Sequence, residues 1–438
     1  MPCTSSAQAQ EKDTACGAEK SAVVPVLAPT LIDFSQIDLG VTRRMASKPL
    51  TAAQVHKSAL IIDTHADTPQ RFLDDRFDLA DPLGGGDLNF DTIHKGSLSA
   101  EFFSIWVEPT RYKGQYARRT LELIDSVRLQ VAKHPGQVAF VSTADGIVQA
   151  HRAHKFAALI GIEGGHSIEN SLALLRQFYA VGVRYMTLTW ANSNDWADSS
   201  GDINDKKVPH TKGGLTKFGE EVVHEMNRLG MMVDISHVSD RTFYRAVKVS
   251  TAPVIASHSC ARALCDHPRN MTDDMLRAAA SSGGRNSGGG VVQVNFFSGF
   301  VSQAYRDAMR AIKPEVDREV AKAERAAKAK GRGLTYSETG RIWRKYQRKS
   351  PRPPLSELID QIDHIAKVAG IDHVGLGSDF DGVGGQLPEG LKSPADLPKI
   401  TRALLEREYS ATDCRKILGG NLLRVFREVE ACSTKLNR

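Results

Sequence analysis

From residue 50 onward the chain alternates short apolar runs with longer stretches of helical periodicity. The runs occupy 59–63, 101–107, 156–162, 183–188, 231–235, 253–256, 290–296 and 373–377. They are mostly continuous in Val, Ile, Leu and Ala rather than broken by alternating polar residues, which is the pattern of strands buried on both faces. Helical stretches lie between them at 120–133, 168–181, 217–229, 272–280 and 355–369. Strands separated by helices imply parallel pairing, and a count of eight predicts an α/β fold of the closed (β/α)8 TIM-barrel type rather than an open sheet.

Two segments depart from this alternation. Residues 1–50 are small and polar, with Pro25 and Pro29 in their mildly apolar part, and predict an extended arm ahead of one barrel domain at 51–432. Ser6-Ala7-Gln8-Ala9 resembles a signal-peptidase site, but no apolar segment precedes it, so the compartment stays open. The second segment, about 303–352, precedes the last strand and is rich in helix formers with opposite charges one turn apart. Gly331 and Gly333 divide it into two helical pieces, the second near 342–346.

That insertion also explains the net charge. The chain carries +6, yet residues 306–349 alone hold fourteen Lys or Arg against six Asp or Glu, so the remainder is slightly acidic. The basicity is therefore local. The insertion reads as a solvated helical excursion, with a surface for an anionic partner or a second subunit as the sharper alternative. Nothing points to nucleic acid. The glycine-rich stretch Gly283 to Gly290 precedes a strand and lacks the Lys-Ser/Thr pair of a phosphate loop. No apolar stretch approaches the roughly 20 residues of a membrane span. Six cysteines fall into no metal-knuckle spacing; disulfides Cys3–Cys16 and Cys414–Cys432 are compatible with the sequence, as are free thiols.

The chemistry lies where the runs end. His65 and Asp67, Glu163, His237, His258 and Asp379 stand at or just past the ends of five runs, and a parallel barrel gathers its carboxyl strand ends at one mouth. Each alone has a bland explanation: a chance HxD, a satisfied core histidine, a structural carboxylate. Together they imply a shared cation, because a desolvated carboxylate such as Glu163 needs a partner. Three histidines, one aspartate and one glutamate without cysteine suit Zn2+ better than Ca2+ or Mg2+. Five ligands exceed one open zinc site, whereas two ions about 3.5 to 4 Å apart use them all, with Glu163 as the natural bridge.

Seven strings make the pattern specific: Asp63-Thr64-His65-Ala66-Asp67, Gly161-Ile162-Glu163-Gly164-Gly165-His166-Ser167, Arg184-Tyr185-Met186-Thr187-Leu188-Thr189, Asp234-Ile235-Ser236-His237-Val238-Ser239, Ser257-His258-Ser259, His267-Pro268-Arg269-Asn270 and Gly377-Ser378-Asp379-Phe380-Asp381-Gly382. In this order they resemble the membrane (renal) dipeptidase family, and the likeness continues to about Asn421. The resemblance implies an amidohydrolase-like barrel holding two Zn2+ per chain, with His65 and Asp67 on one ion, His237 and His258 on the other, and Glu163 bridging. It further implies a metal-bridged hydroxide, proton transfer by Asp379, a substrate carboxylate on Arg269, tolerance of a D-residue at the second position, and a homodimer.

One position departs from the family. After Thr187-Leu188-Thr189 the family typically has a histidine facing the reacting carbonyl oxygen, and this chain has Trp190. An indole offers a neutral N–H donor but no acquirable charge. His166 and His210 are the nearest compensating candidates in sequence. The expected activity is hydrolysis of dipeptides, with another amide, lactam or N-acyl amino acid as the alternative substrate. The HxD pair, in place of the HxH common elsewhere in the superfamily, favours the dipeptidase branch. A metal-keeping binding protein is the remaining class, disfavoured by the presence of Asp379 and Arg269.

Overall fold

In the computed structural model residues 50–437 are described, apart from 206–207, 209–212 and 348–349. Residues 1–49 of the expected arm, with Cys3 and Cys16, and His210 therefore lie outside the described residues. The strands are β1 (Ile61–Ala66), β2 (Leu98–Trp106), β3 (Val138–Phe140), β4 (Phe156–Glu163), β5 (Val183–Thr187), β6 (Met232–Asp234), β7 (Ile255–Ser259), β8 (Val291–Val294) and β9 (Val374–Leu376).

Eight of them pair in parallel in the order β1-β2-β4-β5-β6-β7-β8-β9. The seam between β9 and β1 is drawn together just beyond the strand ends. A parallel bridge joins Ala66 to Phe380, Asp67 N–H donates to Phe380 O at 2.8 Å, and Asp379 N–H donates to His65 O at 3.0 Å. The fold is thus a nearly closed eight-stranded barrel, and the seam itself brings Asp67 and Asp379 together. The unanticipated β3 pairs with β4 outside the barrel path. Its three residues are too short a run to register in hydrophobic periodicity.

The predicted helices at 217–229 and 355–369 form as Lys217–Leu229 and Leu355–Ala369. The Thr216 side chain caps the first by accepting from Gly219 N–H, and Gly230, at φ 84°, ends it in the left-handed region. Apolar residues divide into two clusters. The inner one gathers residues near the strand starts, including Ile62, Ala100, Met232 and Val291, and the C-terminal helix Asn421–Leu436 plugs that end with Leu422, Val425, Phe426 and Val429. One end of the barrel is therefore packed solid and the other is free for chemistry.

The insertion forms two helices, Gln303–Lys328 and Tyr336–Gln347. Lys313 and Asp317 pair at 2.6 Å one turn apart. The expectation of a purely solvated excursion holds for much of the first helix but not the second, which folds back onto the open mouth of the barrel. Cys414 and Cys432 carry free thiols, so no disulfide joins them, and Cys260 and Cys265 are free and buried. No helix among the described residues is long and apolar enough to cross a membrane.

Candidate active site

Strand ends position every anticipated ligand. His65 is the fifth residue of β1, Glu163 the last of β4, and His258 lies within β7, while His237 and Asp379 follow β6 and β9 by a few residues. Asp67 does not continue an extended strand as the HxD spacing predicts; at φ −86°, ψ 16° it begins the helix Thr68–Asp74. Its carboxylate nevertheless returns to within 3.8 Å of His65 Nε2. His237 and Asp379 hold φ 66° and 64°. Non-glycine residues rarely adopt this left-handed conformation, and it is tolerated where surrounding structure enforces it.

Glu163 divides its carboxylate between two groups. Oε2 lies 3.5 Å from His65 Nε2, whereas Oε1 lies 2.8 Å from His237 Nε2 and 3.5 Å from His258 Nε2. The two latter nitrogens are 2.9 Å apart. Ligand-type atoms of His65, Glu163 and His258, and separately of His65, Asp67 and Asp379, lie within 4.8 Å of one another. One carboxylate thus faces His65 on one oxygen and the His237–His258 pair on the other.

The electrostatics of this buried group call for cations. Burial, reinforced by the charge of Glu163, pushes the Asp67 carboxyl well above the usual carboxylate range. Burial also raises Asp379. Burial opposes charge on His65, but Glu163, Asp67 and Asp379 outweigh it and lift the imidazole to about 10. Burial, with Arg269 adding, lowers His237 to about 4. His65 Nε2 and Asp67 Oδ1 are buried without a hydrogen-bond partner among the described residues. Divalent ions satisfy all of these at once, because they neutralise the carboxylates and take the imidazole lone pairs. The residues present therefore fit bound metal.

Partners behind the ligands set their orientation. The Tyr185 hydroxyl donates to Thr64 O at 3.0 Å and accepts from His65 Nδ1 at 3.0 Å, which leaves Nε2 as the lone-pair nitrogen. Ser257 Oγ donates to Asp234 Oδ2 at 2.6 Å and accepts from His258 Nδ1 at 2.7 Å, with the same consequence. Asn295 Nδ2 donates to Asp379 Oδ2 at 2.9 Å.

Above this group lies a cavity of about 340 Å³. Asp67, Glu163, His237 and Asp379 line it together with Arg269, and Trp106, Trp190, Phe297 and Phe300 give it aromatic walls. Arg269 is buried, donating to His258 O at 2.9 Å and to Ser259 Oγ at 3.1 Å, with its guanidinium 5.2 Å above the Phe300 ring. The Trp190 ring packs 4.9 Å from Trp106 and 6.4 Å from His237.

The family is decided by comparison with known proteins. Residues 50–438 match the family model described as membrane dipeptidase, peptidase family M19. The chain belongs to the membrane dipeptidase family. It is 34% identical over 353 residues to mouse Dipeptidase 3, covering 80% of this chain and 59% of that protein. It is also 34% identical over 406 residues to the fission-yeast (Schizosaccharomyces pombe) "Uncharacterized dipeptidase C965.12", covering 88% and 84%. Among solved structures, the probable dipeptidase PvdM from Pseudomonas aeruginosa superposes with a TM-score of 0.72 at 27% identity, covering 87% of this chain and 98% of that one. A metallo peptidase from Rhodobacter sphaeroides, solved with a phosphinate mimic of the dipeptide L-Ala-D-Ala, shares the fold at a TM-score of 0.65 and 22% identity, covering 85% and 99%.

Within this membrane dipeptidase fold, all eight anticipated site residues line or border one cavity. His166 does not join them: its Nε2 bonds to Val107 O at 2.8 Å and its ring rests against Tyr116. Sequence reasoning missed Tyr185 and Ser257 within β5 and β7, Asp234 at the end of β6 and Asn295 just past β8, all of them buried. Tyr185, Asp234 and Ser257 sit inside strings quoted for the family, so the available signal was a polar side chain within an otherwise apolar run. It also missed the second insertion helix as part of the cavity wall.

Proposed function

We propose that this chain is a zinc dipeptidase that cleaves the peptide bond of dipeptides bearing a free carboxylate, including those with a D-residue in second place. The carrying observation is the divided carboxylate of Glu163, one oxygen toward His65 and the other toward His237 and His258. His65 and Asp67 would hold one zinc, His237 and His258 the second, and Glu163 both. Bound there, such ions polarise a carbonyl and make a water nucleophilic at neutral pH.

The remaining work falls to the chain's own groups. Arg269, whose two Nη groups each keep a second N–H beyond their bonds to Ser259 Oγ and His258 O, takes the terminal carboxylate, so a dipeptide is chosen over a longer peptide by its own end. Asp379, steadied at Oδ2 by Asn295, accepts the proton of the attacking water and returns it to the departing amine nitrogen. The walls of Trp106, Trp190, Phe297 and Phe300 exclude bulk water from this transfer. Another amide, lactam or N-acyl amino acid is the alternative substrate, since the same groups serve any amide beside a carboxylate.

Elemental analysis of purified protein should find about two zinc per chain, and chelation should abolish hydrolysis of an L,L and L,D dipeptide panel. Asp379→Asn should lower kcat by about a hundredfold or more with zinc retained. Full activity in that variant removes the proton-transfer role. Turnover of N-acyl amino acids but of no dipeptide transfers the site to the alternative.

A further inference from the structure

The insertion between β8 and β9 supplies part of the catalytic cavity. Ser337, Thr339, Gly340, Trp343 and Arg344 of the helix Tyr336–Gln347 line it. This helix is tethered along its length. Ser337 Oγ donates to Asp75 Oδ2, Glu338 pairs with Arg332 at 2.7 Å, and Lys345 pairs with Glu319 of the helix Gln303–Lys328 at 2.9 Å. It also packs on the loop that follows Asp379: a Cβ on Gly384 would stand 3.6 Å from Gly340 Cα. A helix held by both neighbours is a fixed wall of the cavity.

Three guanidinium groups line that cavity. Arg269 donates to His258 O and Ser259 Oγ. Arg71 donates to Leu83 O at 2.5 Å, lies 3.6 Å from Asp381 and stacks 3.8 Å above the Phe77 ring. Arg344 makes no hydrogen bond or ion pair with any described residue. Buried Asp87 feels its charge without reaching ion-pair distance. Its Nη2 stands beside Gly85, 3.5 Å from where a Cβ would be, so it approaches the cavity over the loop that follows the helix Thr68–Asp74, whereas Arg269 hangs beside β7. A cavity-facing guanidinium with its fork unengaged is a receptor for a planar anion. With the substrate's terminus on Arg269, that anion is a second carboxylate.

We propose that Arg344 reads an acidic side chain, so that dipeptides carrying Glu or Asp are preferred over their neutral isosteres, and that the insertion is the substrate-selecting wall of this site. Trp343, the preceding residue on the same helix and in the same cavity, offers an apolar face to the methylenes of that side chain. The assignment rests on the dipeptidase reading.

The test compares Glu-containing with Gln-containing dipeptides in the zinc-loaded protein. The ratio of their kcat/KM values should favour Glu and fall about tenfold in Arg344→Gln, the scale of one charge-assisted contact at a partly exposed site; Arg344→Lys should restore part of it. In parallel, quenching of tryptophan fluorescence in metal-depleted protein should report tighter binding of the Glu dipeptide in the wild type and equal binding in Arg344→Gln. Equal ratios and equal binding in wild type and variant overturn the assignment to Arg344 while leaving dipeptide hydrolysis standing. Absence of hydrolysis of every dipeptide overturns the dipeptidase reading instead, and the binding comparison still decides whether Arg344 selects for charge.

Discussion

The Tyr185 hydroxyl accepts a hydrogen bond from His65 Nδ1 at 3.0 Å while donating its own proton to Thr64 O. Two fixed bonds on one hydroxyl hold the His65 ring through Nδ1 and leave Nε2, which faces Glu163 and Asp67, as the nitrogen that would bind a metal. Partners of this kind typically contribute ten- to a hundredfold in metal affinity. Tyr185→Phe should therefore bind zinc about tenfold more weakly in a chelator competition, with little change in far-UV circular dichroism. Unaltered affinity would show that ring packing alone orients His65.

Gly382 is required by space. A Cβ there would lie 2.0 Å from Asp379 Oδ1 and 2.4 Å from Asp67 Oδ2, so both carboxylates would have to turn away from it, toward the cavity they line. Gly382→Ala should thus displace both groups by the order of 1 Å, enough to lower kcat about a hundredfold. Secondary structure should persist, since the strain falls on side chains at the mouth. Wild-type turnover in this variant would mean that neither carboxylate is needed where it stands.

Much of this was legible in the chain. Seven separated strings and eight apolar runs are long-range regularities, and burial on both faces writes them directly into composition. Hence the barrel and the convergence of His65, Glu163, His237 and His258 could be anticipated. The exact path at Asp67 could not, because its position depends on the seam bond to Phe380, a partner 313 residues away. The same reason hid the insertion helix. Its charges look solvated in sequence, and only the tethers to Asp75 and Glu319 turn Trp343 and Arg344 toward the cavity. The αL conformations at His237 and Asp379 are likewise imposed by neighbours and leave no glycine to mark them.

Away from the site, Asp78 predicts an acid-side stability term. Burial pushes its carboxyl up, but bonds from Lys133, the Ala80 N–H and His134 outweigh this and hold it at about 2. A folded-state value depressed below the unfolded one adds stability above the unfolded range, near pH 4, and that stability is lost as pH falls through about 2. Asp78→Asn should accordingly be less stable than wild type by about 1 kcal/mol at pH 6, with the difference closing below pH 3. A pH-independent gap in urea unfolding would assign the loss to packing instead.

Trp190 stands where the family typically places a histidine, and its ring packs between Trp106 at 4.9 Å and His237 at 6.4 Å. An indole can donate one neutral hydrogen bond toward a reacting carbonyl, whereas an imidazolium adds charge where the oxygen becomes negative, and a donor of that kind is worth about a hundredfold in turnover. Trp190→His should therefore raise kcat on small dipeptides, by about tenfold if the new ring is only partly held in place. The gain should disappear at high pH as the imidazole loses its proton, because only the charged form supplies the extra stabilisation. A variant with the same kcat and the same pH profile as wild type would place Trp190 outside the reaction, as a wall against Trp106 and nothing more.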